Sequence, residues 1–591
     1  MFKSLLVANR GEIAVRIIRA ARELGIRTIA VWSEADADAL WTRLADDAYC
    51  IGPAPARDSY LAIENILEAV RASGAEAVHP GYGLLSESAE FARAVRDAGV
   101  TFVGPDTDAI VLMGDKVTAR HAAERCGVPV LPGTNAPVLN DHACIEQAEA
   151  IGWPIAVKAS FGGGGRGMRI ANNKDELAAA LDQASREAEA AFGRAEVFLE
   201  KYLVRPRHIE VQILGDSFGN VIHLGDRDCS VQRRHQKLLE EAPAPNLAAS
   251  LRERILEAAV RLSRSIGYQS AGTVEFLADV ANDHFYFLEM NTRLQVEHGV
   301  TELITGVDIA QQQIRIAAGE RLGLSQDEVR FNGAAIQARI LSENPWQGFR
   351  PTPGRIDRLV LPLGPWVRHD FGIAAGDSIS QYYDSMFGKI QAWGADRAQA
   401  RRRLGLALDE TIVGGVPTTI PYLRTLLDQP AFADATHDTG SVERDWAPDP
   451  ATEPPAIATP EEAGIAPPPP AGRSVFVPWG GVSTEVVVHG QPRAGGEPLP
   501  VRATVGTPRP GVTRQVGNRD PLLVAPMDSV VVSVAVKPGD AIARGAPILI
   551  LEAMKMEVVI GAPFDGIVEE ILVRAAETVR AGAKLAIVGV K

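Results

Sequence analysis

Two glutamates and an asparagine stand in a pair of neighbouring apolar runs, GTVEFL (272–277) and FYFLEMN (285–291). Short runs rich in β-branched and aromatic residues, separated by ADVANDH (278–284), read as the two strands of a hairpin. Glu275 and Glu289 then sit on adjacent strands, with Asn291 close by. Such an oxygen-only donor set suits Mg²⁺ or Mn²⁺ bridging nucleotide phosphates. On spacing alone, a structural salt-bridge role for the two glutamates stays open.

A second candidate is the stretch KASFGGGGRGMRI (158–170), which follows the strand-like WPIAV (153–157). Glycines at 162–165 and 167 let backbone N–H groups approach phosphate oxygens closely. Lys158 precedes the run and Lys116 lies in MGDKV; both can offset phosphate charge. A flexible loop is the competing reading of a bare glycine run. The GK[ST] ending of a Walker A loop is absent.

The third is Lys555 in EAMKME, flanked by Met554 and Met556 in a chain with only 8 methionines. It lies between two halves of an internal repeat. APMDSVVVSVAVKPGDAIARGAPILIL (525–551) aligns without gaps on APFDGIVEEILVRAAETVRAGAKLAIV (562–588) at an offset of 37. Ala525/Ala562, Pro526/Pro563, Asp528/Asp565, Gly545/Gly582 and Ile550/Ile587 are identical pairs. Two similar all-β halves predict a flattened two-sheet barrel with pseudo-twofold symmetry. Lys555 then occupies the hairpin between them. A solvated charge is the ordinary role of a lysine there.

The elements that must position these groups read as follows. SLLVA (4–8), TIAVW (28–32) and AEAVHPGYG (75–83) supply strands, and IAVRIIRAARELG a helix; this alternation predicts a doubly wound parallel sheet over 1–110. Its first turn, ANRGE, is not a GxGxxG fingerprint, so no dinucleotide is assigned. Residues 111–330 hold the densest polar chemistry. Residues 331–446 are mixed α/β, with FGKIQAW (387–393) a strand. From Ala447 to Pro470, nine of 24 residues are proline and none is aromatic, which reads as a semi-rigid linker. The region 447–520 also carries two strand-like runs within 473–488. The last domain spans 521–591.

Composition sets limits on all of this. Of 591 residues 46% are hydrophobic and 23% charged, as expected for a globular protein. A net charge of −14 lends no support to nucleic-acid or membrane-surface binding. Cys50, Cys126, Cys144 and Cys229 show neither metal spacing nor a disulfide framework, which suits a cytoplasmic setting. The apolar run at the start is too short for a signal peptide, and no window approaches a membrane span.

Taken together, EMNTRLQVEH (289–298), the glycine stretch, EKYL (200–203), RRHQKLLEEAPAP (233–245) and the Ala-Met-Lys-Met pattern resemble the biotin carboxylases, with an ATP-grasp fold, joined to a biotinyl carrier domain. The resemblance covers about 1–446 and 521–591. It implies an α subunit of an acyl-CoA carboxylase that uses ATP and bicarbonate to carboxylate biotin, attached to Lys555 by a biotin protein ligase. Lys116, Lys158, Gly163, Gly164, Gly165, Arg166, Gly167, Met168, Glu200, Lys201, Leu203, His208, His235, Glu275 and Glu289 would contact ATP. Glu275, Glu289 and Asn291 would hold the metal. Lys237, Arg293, Gln295 and the backbone of Val296 would bind bicarbonate, and Glu297 would remove its proton. Arg339 and Tyr82 would bind biotin. Gln295 and Glu297, read as two residues apart on a continuing strand, should face the same way.

Departures from the family pattern are Phe161, Gly299, Phe387 and the QARILSENP segment around Arg339; none removes a chemical group. Because 447–520 is too short for a carboxyltransferase, a separate carboxyltransferase β subunit is expected. The α subunits would form a homo-oligomer within a hetero-oligomer. A 2-oxo acid acceptor, or an ATP-grasp ligase with a lipoyl-type carrier, are the alternatives.

Overall fold

The structure is a computed structural model that describes residues 1–134, 136–138, 142–159, 168–192, 194–454, 473–479, 482–488, 522–554 and 556–590. They fall into two bodies, one built mainly from Met1–Pro455 and the other from the C-terminal region. Gly163, Gly164, Gly165, Arg166, Gly167, Phe161 and Lys555 lie outside the described residues. Among the described residues, no helix is long and apolar enough to cross a membrane.

The first body opens with a five-stranded parallel sheet. Its order is Asp47–Cys50, Arg27–Trp32, Ser4–Val7, Ala77–His79 and Thr101–Phe102. Leu5 and Val7 enter one apolar cluster with the helix Gly11–Glu23, while Leu6 enters another with Ile66 and Phe91. Successive side chains point to opposite faces, so a strand apolar at every position must be covered on both. The α/β reading of this segment matches.

An eight-stranded antiparallel sheet carries the polar chemistry. Its order is His284–Asn291, Ser270–Asp279, Arg207–Gly215, Val221–Arg233, Gln236–Ala242, Ala334–Leu341, Met386–Gly394 and Val367–Phe371. The pairing of Gln236–Ala242 with Ala334–Leu341 carries the sheet across residue 330 without a break. On one face the helix Ala249–Ser265 buries Leu251, Ile255, Ala258, Ala259 and Leu262 against Val211, Val274 and Phe276. The spacing of those residues is the 3.6-residue period of a core-facing stripe. Each leucine or isoleucine so buried contributes about 1.5–3 kcal/mol.

A smaller antiparallel sheet joins Arg169–Ala171, Ile155–Ala159 and Val197–Lys201, backed by the helices His142–Ile151 and Lys174–Phe192. The predicted strand at 153–157 is therefore displaced by two residues, because the polypeptide turns at Pro154 before pairing begins.

In the second body, two four-stranded sheets enclose one core that includes Val531, Ile548, Leu551, Val568, Leu585 and Val588. The repeat is visible in the elements. Ser529–Val534, Ala541–Ile542 and Pro547–Ala553 recur 37 residues later as Gly566–Ile571, Thr578–Val579 and Lys584–Val590. Each short middle strand pairs with the other half: Ala541–Ile542 with Gly566–Ile571, and Thr578–Val579 with Ser529–Val534. This reciprocal exchange builds the pseudo-twofold barrel. Pro547–Ala553 and Met556–Gly561 are neighbours in one sheet and flank position 555. The runs at 473–479 and 482–488 pair as an antiparallel hairpin.

Candidate active site

A cavity of about 590 Å³ in the first body gathers most of the residues singled out above. Its walls include Lys116, Lys158, Met168, Glu200, Lys201, Leu203, His208, His235, Lys237, Glu275, Glu289, Asn291, Arg293, Gln295, Val296, Glu297 and Arg339. Tyr82 is not among them; its hydroxyl donates to Glu12.

The hairpin places the acidic pair as expected: Glu275 and Glu289 are direct partners across the two strands. Asn291 Nδ2 donates to Glu275 Oε1 at 2.8 Å, and His208 Nε2 lies 2.8 Å from Glu275 Oε2. Burial, and then the Glu275 charge, push the Glu289 carboxyl above its ordinary pKa. Two carboxylates facing one another in a buried site are what a divalent cation relieves, and the hard oxygen donors match Mg²⁺. A further group of donors within reach of one another, His208, Glu210 and Glu275, already has cationic partners in Lys237 and Arg227.

The anion-binding side is built around Lys237 on the strand Gln236–Ala242. Its ammonium lies 2.6 Å from Glu210 Oε2, 2.6 Å from Glu297 Oε1 and 3.2 Å from Glu275 Oε1. Burial opposes its charge, but Cys229, Glu210, Glu275 and Glu297 together hold its pKa well above the usual value. Arg339 Nη2 lies 3.0 Å from Glu297 Oε2, and its Nε donates to Glu240 Oε1 at 2.5 Å. Burial alone would raise the Glu297 pKa; Lys237, Arg339 and Arg227 hold it well below the carboxylate range instead. Gln295 Nε2 donates to Glu275 Oε1 at 2.7 Å.

One expectation about this segment is corrected. The strand ends at Asn291, residues 292–297 form a loop, and a helix begins at His298 with Glu297 as its N-cap. Gln295 and Glu297 do not share a strand face. They reach one cluster because the loop folds back over Lys237. The cause is the helix that follows: His298–Thr305 buries Val300 and Ile304, so the chain must leave the sheet before it.

At the other end of the cavity, Glu200 bridges Lys158 and Arg120, the latter at 3.2 Å. The Lys201 ammonium caps the carbonyls of Gly152 (3.0 Å) and Trp153 (2.6 Å), leaving its backbone to line the cavity. Burial lowers the pKa of Lys116 and of His235. A polyanion beside Lys116 would favour its charged form.

Sequence reading missed several groups. Arg227 is fully buried; it bonds to Glu210, to Gln212 (2.8 Å), to Thr273 (3.1 Å) and to Gln295 (3.2 Å). It therefore orients both Glu210 and Gln295. Glu87 accepts from Arg293 Nε at 2.9 Å, while Arg293 Nη2 donates to Asn291 Oδ1 at 2.8 Å. The available signal was alternation: HIEVQIL places Glu210 and Gln212 on one strand face, which reads as a wet face until the covering loop is known.

The arrangement suits a polyanion beside Lys116 and Lys158, a cation between Glu275 and Glu289, and a small anion beside Lys237 and Arg293, with the Glu297 carboxylate next to that position.

Comparisons with known proteins agree with that chemistry. Residues 1–110 match the model "Biotin carboxylase, N-terminal domain", 115–325 "Carbamoyl-phosphate synthase L chain, ATP binding domain", 337–444 "Biotin carboxylase C-terminal domain" and 522–588 "Biotin-requiring enzyme". The chain is 48% identical to Biotin carboxylase 1 of Bacillus subtilis over 443 residues, 75% of this chain and 98% of that one. It is 51% identical to a pyruvate carboxylase subunit of Methanothermobacter thermautotrophicus, covering 73% and 88%. It is 48% identical to the alpha subunit of the mitochondrial methylcrotonoyl-CoA carboxylase of Glycine max, covering 75% and 60%. Among solved structures, it is similar to the biotin carboxylase domain dimer of the Hydrogenobacter thermophilus 2-oxoglutarate carboxylase in complex with MgADP, ADP and bicarbonate. The TM-score is 0.72 at 48% identity, covering 75% and 97%. The biotin carboxylase of Campylobacter jejuni, in complex with β,γ-ATP, gives 0.73 at 45%, covering 75% and 99%.

Proposed function

The chain belongs to the biotin carboxylase family, and on that premise we propose the roles of its individual residues, its acceptor and its partners. It is an ATP-dependent ligase that carboxylates biotin, with covalently carried biotin, ATP and Mg²⁺ as its requirements.

In the proposed assignment, Glu275, Glu289 and Asn291 hold the cation. Lys116, Lys158 and the segment from Gly163 to Met168 contact the phosphates, and Glu200, Lys201, Leu203, His208 and His235 surround the rest of the nucleotide. When bound, Mg²⁺ offsets phosphate charge and biotin supplies the ureido nitrogen that receives the carboxyl group. Bicarbonate sits between Lys237, Arg293, Gln295 and the Val296 N–H. A guanidinium donating two parallel bonds suits this planar anion.

Lys237 and Arg339 both pair with Glu297; bicarbonate draws on Lys237 and weakens its hold on that carboxylate, which then takes the bicarbonate proton. The deprotonated oxygen attacks the γ-phosphoryl group, giving carboxyphosphate and ADP, with charge spread over Lys116, Lys158, Lys237 and Arg293. Arg339 and Tyr82 orient the biotin ring, which Lys555 carries. The observation that carries this reading is the convergence of Lys237 and Arg339 on Glu297 in the same cavity as the Glu275/Glu289 pair.

The domains proposed are 1–110, 111–330, 331–446, the 447–520 linker and 521–591, in a cytoplasmic enzyme. An acyl-CoA is the proposed acceptor, reached through a separate carboxyltransferase β subunit. The likeness to the methylcrotonoyl-CoA carboxylase of Glycine max supports both points. A 2-oxo acid is the second reading, favoured by the pyruvate and 2-oxoglutarate carboxylase relatives. Self-association of the α subunit draws support from the dimer of the Hydrogenobacter domain. A biotin protein ligase is the remaining partner.

Three measurements test these points. Purified protein should hydrolyse ATP in a bicarbonate-dependent manner, stimulated by free biotin; no stimulation overturns the assignment of the cavity. A streptavidin signal that survives Lys555→Ala removes the attachment site. Co-purification of the carboxyltransferase, followed by assay on acyl-CoAs and 2-oxo acids, decides the acceptor.

A further inference from the structure

Behind the loop that carries Gln295, Val296 and Glu297 lies a charged side chain that does not itself line the cavity. Lys389, on the strand Met386–Gly394, is completely buried. Its Nζ donates to the Val296 carbonyl at 2.7 Å and lies 3.1 Å from Glu12 Oε1 and 4.0 Å from Asp370 Oδ2. Glu12, in the first turn of the helix Gly11–Glu23, is buried as well and accepts the Tyr82 hydroxyl hydrogen bond. One ion pair thus joins the loop ending in Glu297 to the residue assigned to biotin.

The geometry at the loop end is specific. The Val296 carbonyl belongs to the peptide that leads directly into Glu297. Fixing that oxygen fixes the plane of the peptide, and with it the direction in which the Glu297 side chain leaves the backbone. The neighbouring contact works to the same end. Gln391, two residues along the strand, donates to Asp370 at 3.0 Å, and its Oε1 fills the space above Gly299. A Cβ on Gly299 would lie 1.9 Å from that oxygen. The first turn of the helix His298–Thr305 is therefore seated against the same strand. A buried ammonium is costly to desolvate, and an apolar residue would serve a strand that only needed packing.

We propose that the Lys389–Glu12 pair is a two-ended positioning device. Lys389 sets the peptide that leads into Glu297 and so presents that carboxylate to bicarbonate, and Glu12 anchors the Tyr82 hydroxyl at the end assigned to biotin. This rests on the roles assigned to Glu297, Val296 and Tyr82 above.

The test is steady-state ATP turnover by the full-length protein, with bicarbonate, free biotin and ATP varied in turn. Glu12→Gln should raise the KM for biotin about fivefold and leave that for bicarbonate within about twofold. Lys389→Met combined with Glu12→Gln leaves no buried unpaired charge. It should add a rise of about tenfold in the KM for bicarbonate, with the KM for ATP unmoved.

A role confined to folding would change the active fraction and leave all three KM values alone. A double variant with the parental KM for bicarbonate overturns the Lys389 half; an unchanged KM for biotin in Glu12→Gln overturns the other. If the double variant does not fold, Lys389→Arg, which keeps the charge but moves the donor, takes its place under the same two outcomes. Parental protein with no bicarbonate-dependent turnover would instead defeat the functional reading itself.

Discussion

The Lys237 ammonium stands 2.6 Å from the buried Glu297 carboxylate, the lysine side chain itself 11% exposed. A carboxylate so paired is a weak base, since Lys237, Arg339 and Arg227 hold its pKa well below the ordinary range. It becomes an effective base only when a second anion shares those cations. In the proposed mechanism, bicarbonate itself releases the base.

Glu297→Gln should therefore lower kcat for bicarbonate-dependent ATP hydrolysis by about 10²–10⁴-fold, the usual range for loss of a general base. In the parental enzyme, Lys237, Arg339 and Arg227 outweigh burial and hold the Glu297 pKa well below its ordinary value. The profile of kcat/KM against pH, corrected for the bicarbonate present, should contain no acid limb from this residue. An acid limb that disappears in Glu297→Gln would contradict the pairing.

Arg227 and Glu210 are both completely buried and paired. Arg227→Met leaves Glu210 with Lys237 alone and removes the donor to Gln212 Oε1 and Thr273 Oγ1. The expected loss is about 3 kcal/mol, the low end of the range for breaking a buried pair, because Lys237 still pairs Glu210. Adding Glu210→Gln should recover part of it, since the under-compensated carboxylate disappears. Urea unfolding of the single and double variants measures both, and strict additivity would show that the two side chains are not coupled.

The metal donors offer a test with opposite signs. Without metal, the Glu289 pKa is raised by burial and by Glu275. Glu289→Gln should stabilise the metal-free protein at neutral pH, because the folded state no longer confines two facing carboxylates. The same change should raise the Mg²⁺ concentration for half-maximal ATP turnover by about tenfold or more. Thermal melts in chelator, compared with a Mg²⁺ titration of activity, read the two effects separately. Destabilisation in chelator would count against the arrangement.

His79 is buried at the end of the parallel-sheet strand Ala77–His79, its Nδ1 accepting the Gly81 N–H at 3.0 Å. Burial lowers its pKa from 6.5 to about 3. The folded state then holds this imidazole neutral while the unfolded chain protonates it. The stability it supports is fully present above pH 6.5 and declines as pH falls toward about 3, by up to about 1.4 kcal/mol per pH unit. His79→Asn keeps an acceptor for Gly81 and removes the titration, so its urea midpoint should fall less steeply between pH 6.5 and 4.5. An equal slope in the two proteins would rule His79 out as the source.

Glu343 behaves in the reverse sense. Burial raises its carboxyl pKa to about 7, while Ser385 donates to it at 2.5 Å. The folded state keeps the proton longer than the unfolded chain, so stability falls as pH rises from 4.5 through about 7. Glu343→Gln should abolish that fall and be the more stable protein above neutrality; stability curves at pH 5 and pH 8 decide it.

Much of this molecule was legible before any fold was known. The parallel sheet was legible from the alternation of strands and helices over 1–110, with LLVA (5–8) apolar at every position. The barrel followed from a gapless repeat, and the structure shows the same 37-residue offset in every matched strand. Two apolar runs and a short connection placed Glu275 and Glu289 on adjacent strands, and the register makes them direct partners.

What the sequence determined by itself is the inventory: which carboxylates, cations and amides are present, and which neighbours along the chain share a strand or a helix. Only the tertiary structure decided what covers each face. In FGKIQAW, Lys389 and Gln391 alternate with Gly388 and Ile390, a period of two that ordinarily marks a face turned to water. Here the loop 292–297 and the helix after it lie across that face, and the lysine is sealed against Val296 and Glu12. The same holds for Glu210 and Arg227. A local pattern reports that a strand has two faces; contacts made by residues distant along the chain settle which of them is dry, and there a charge must find a partner.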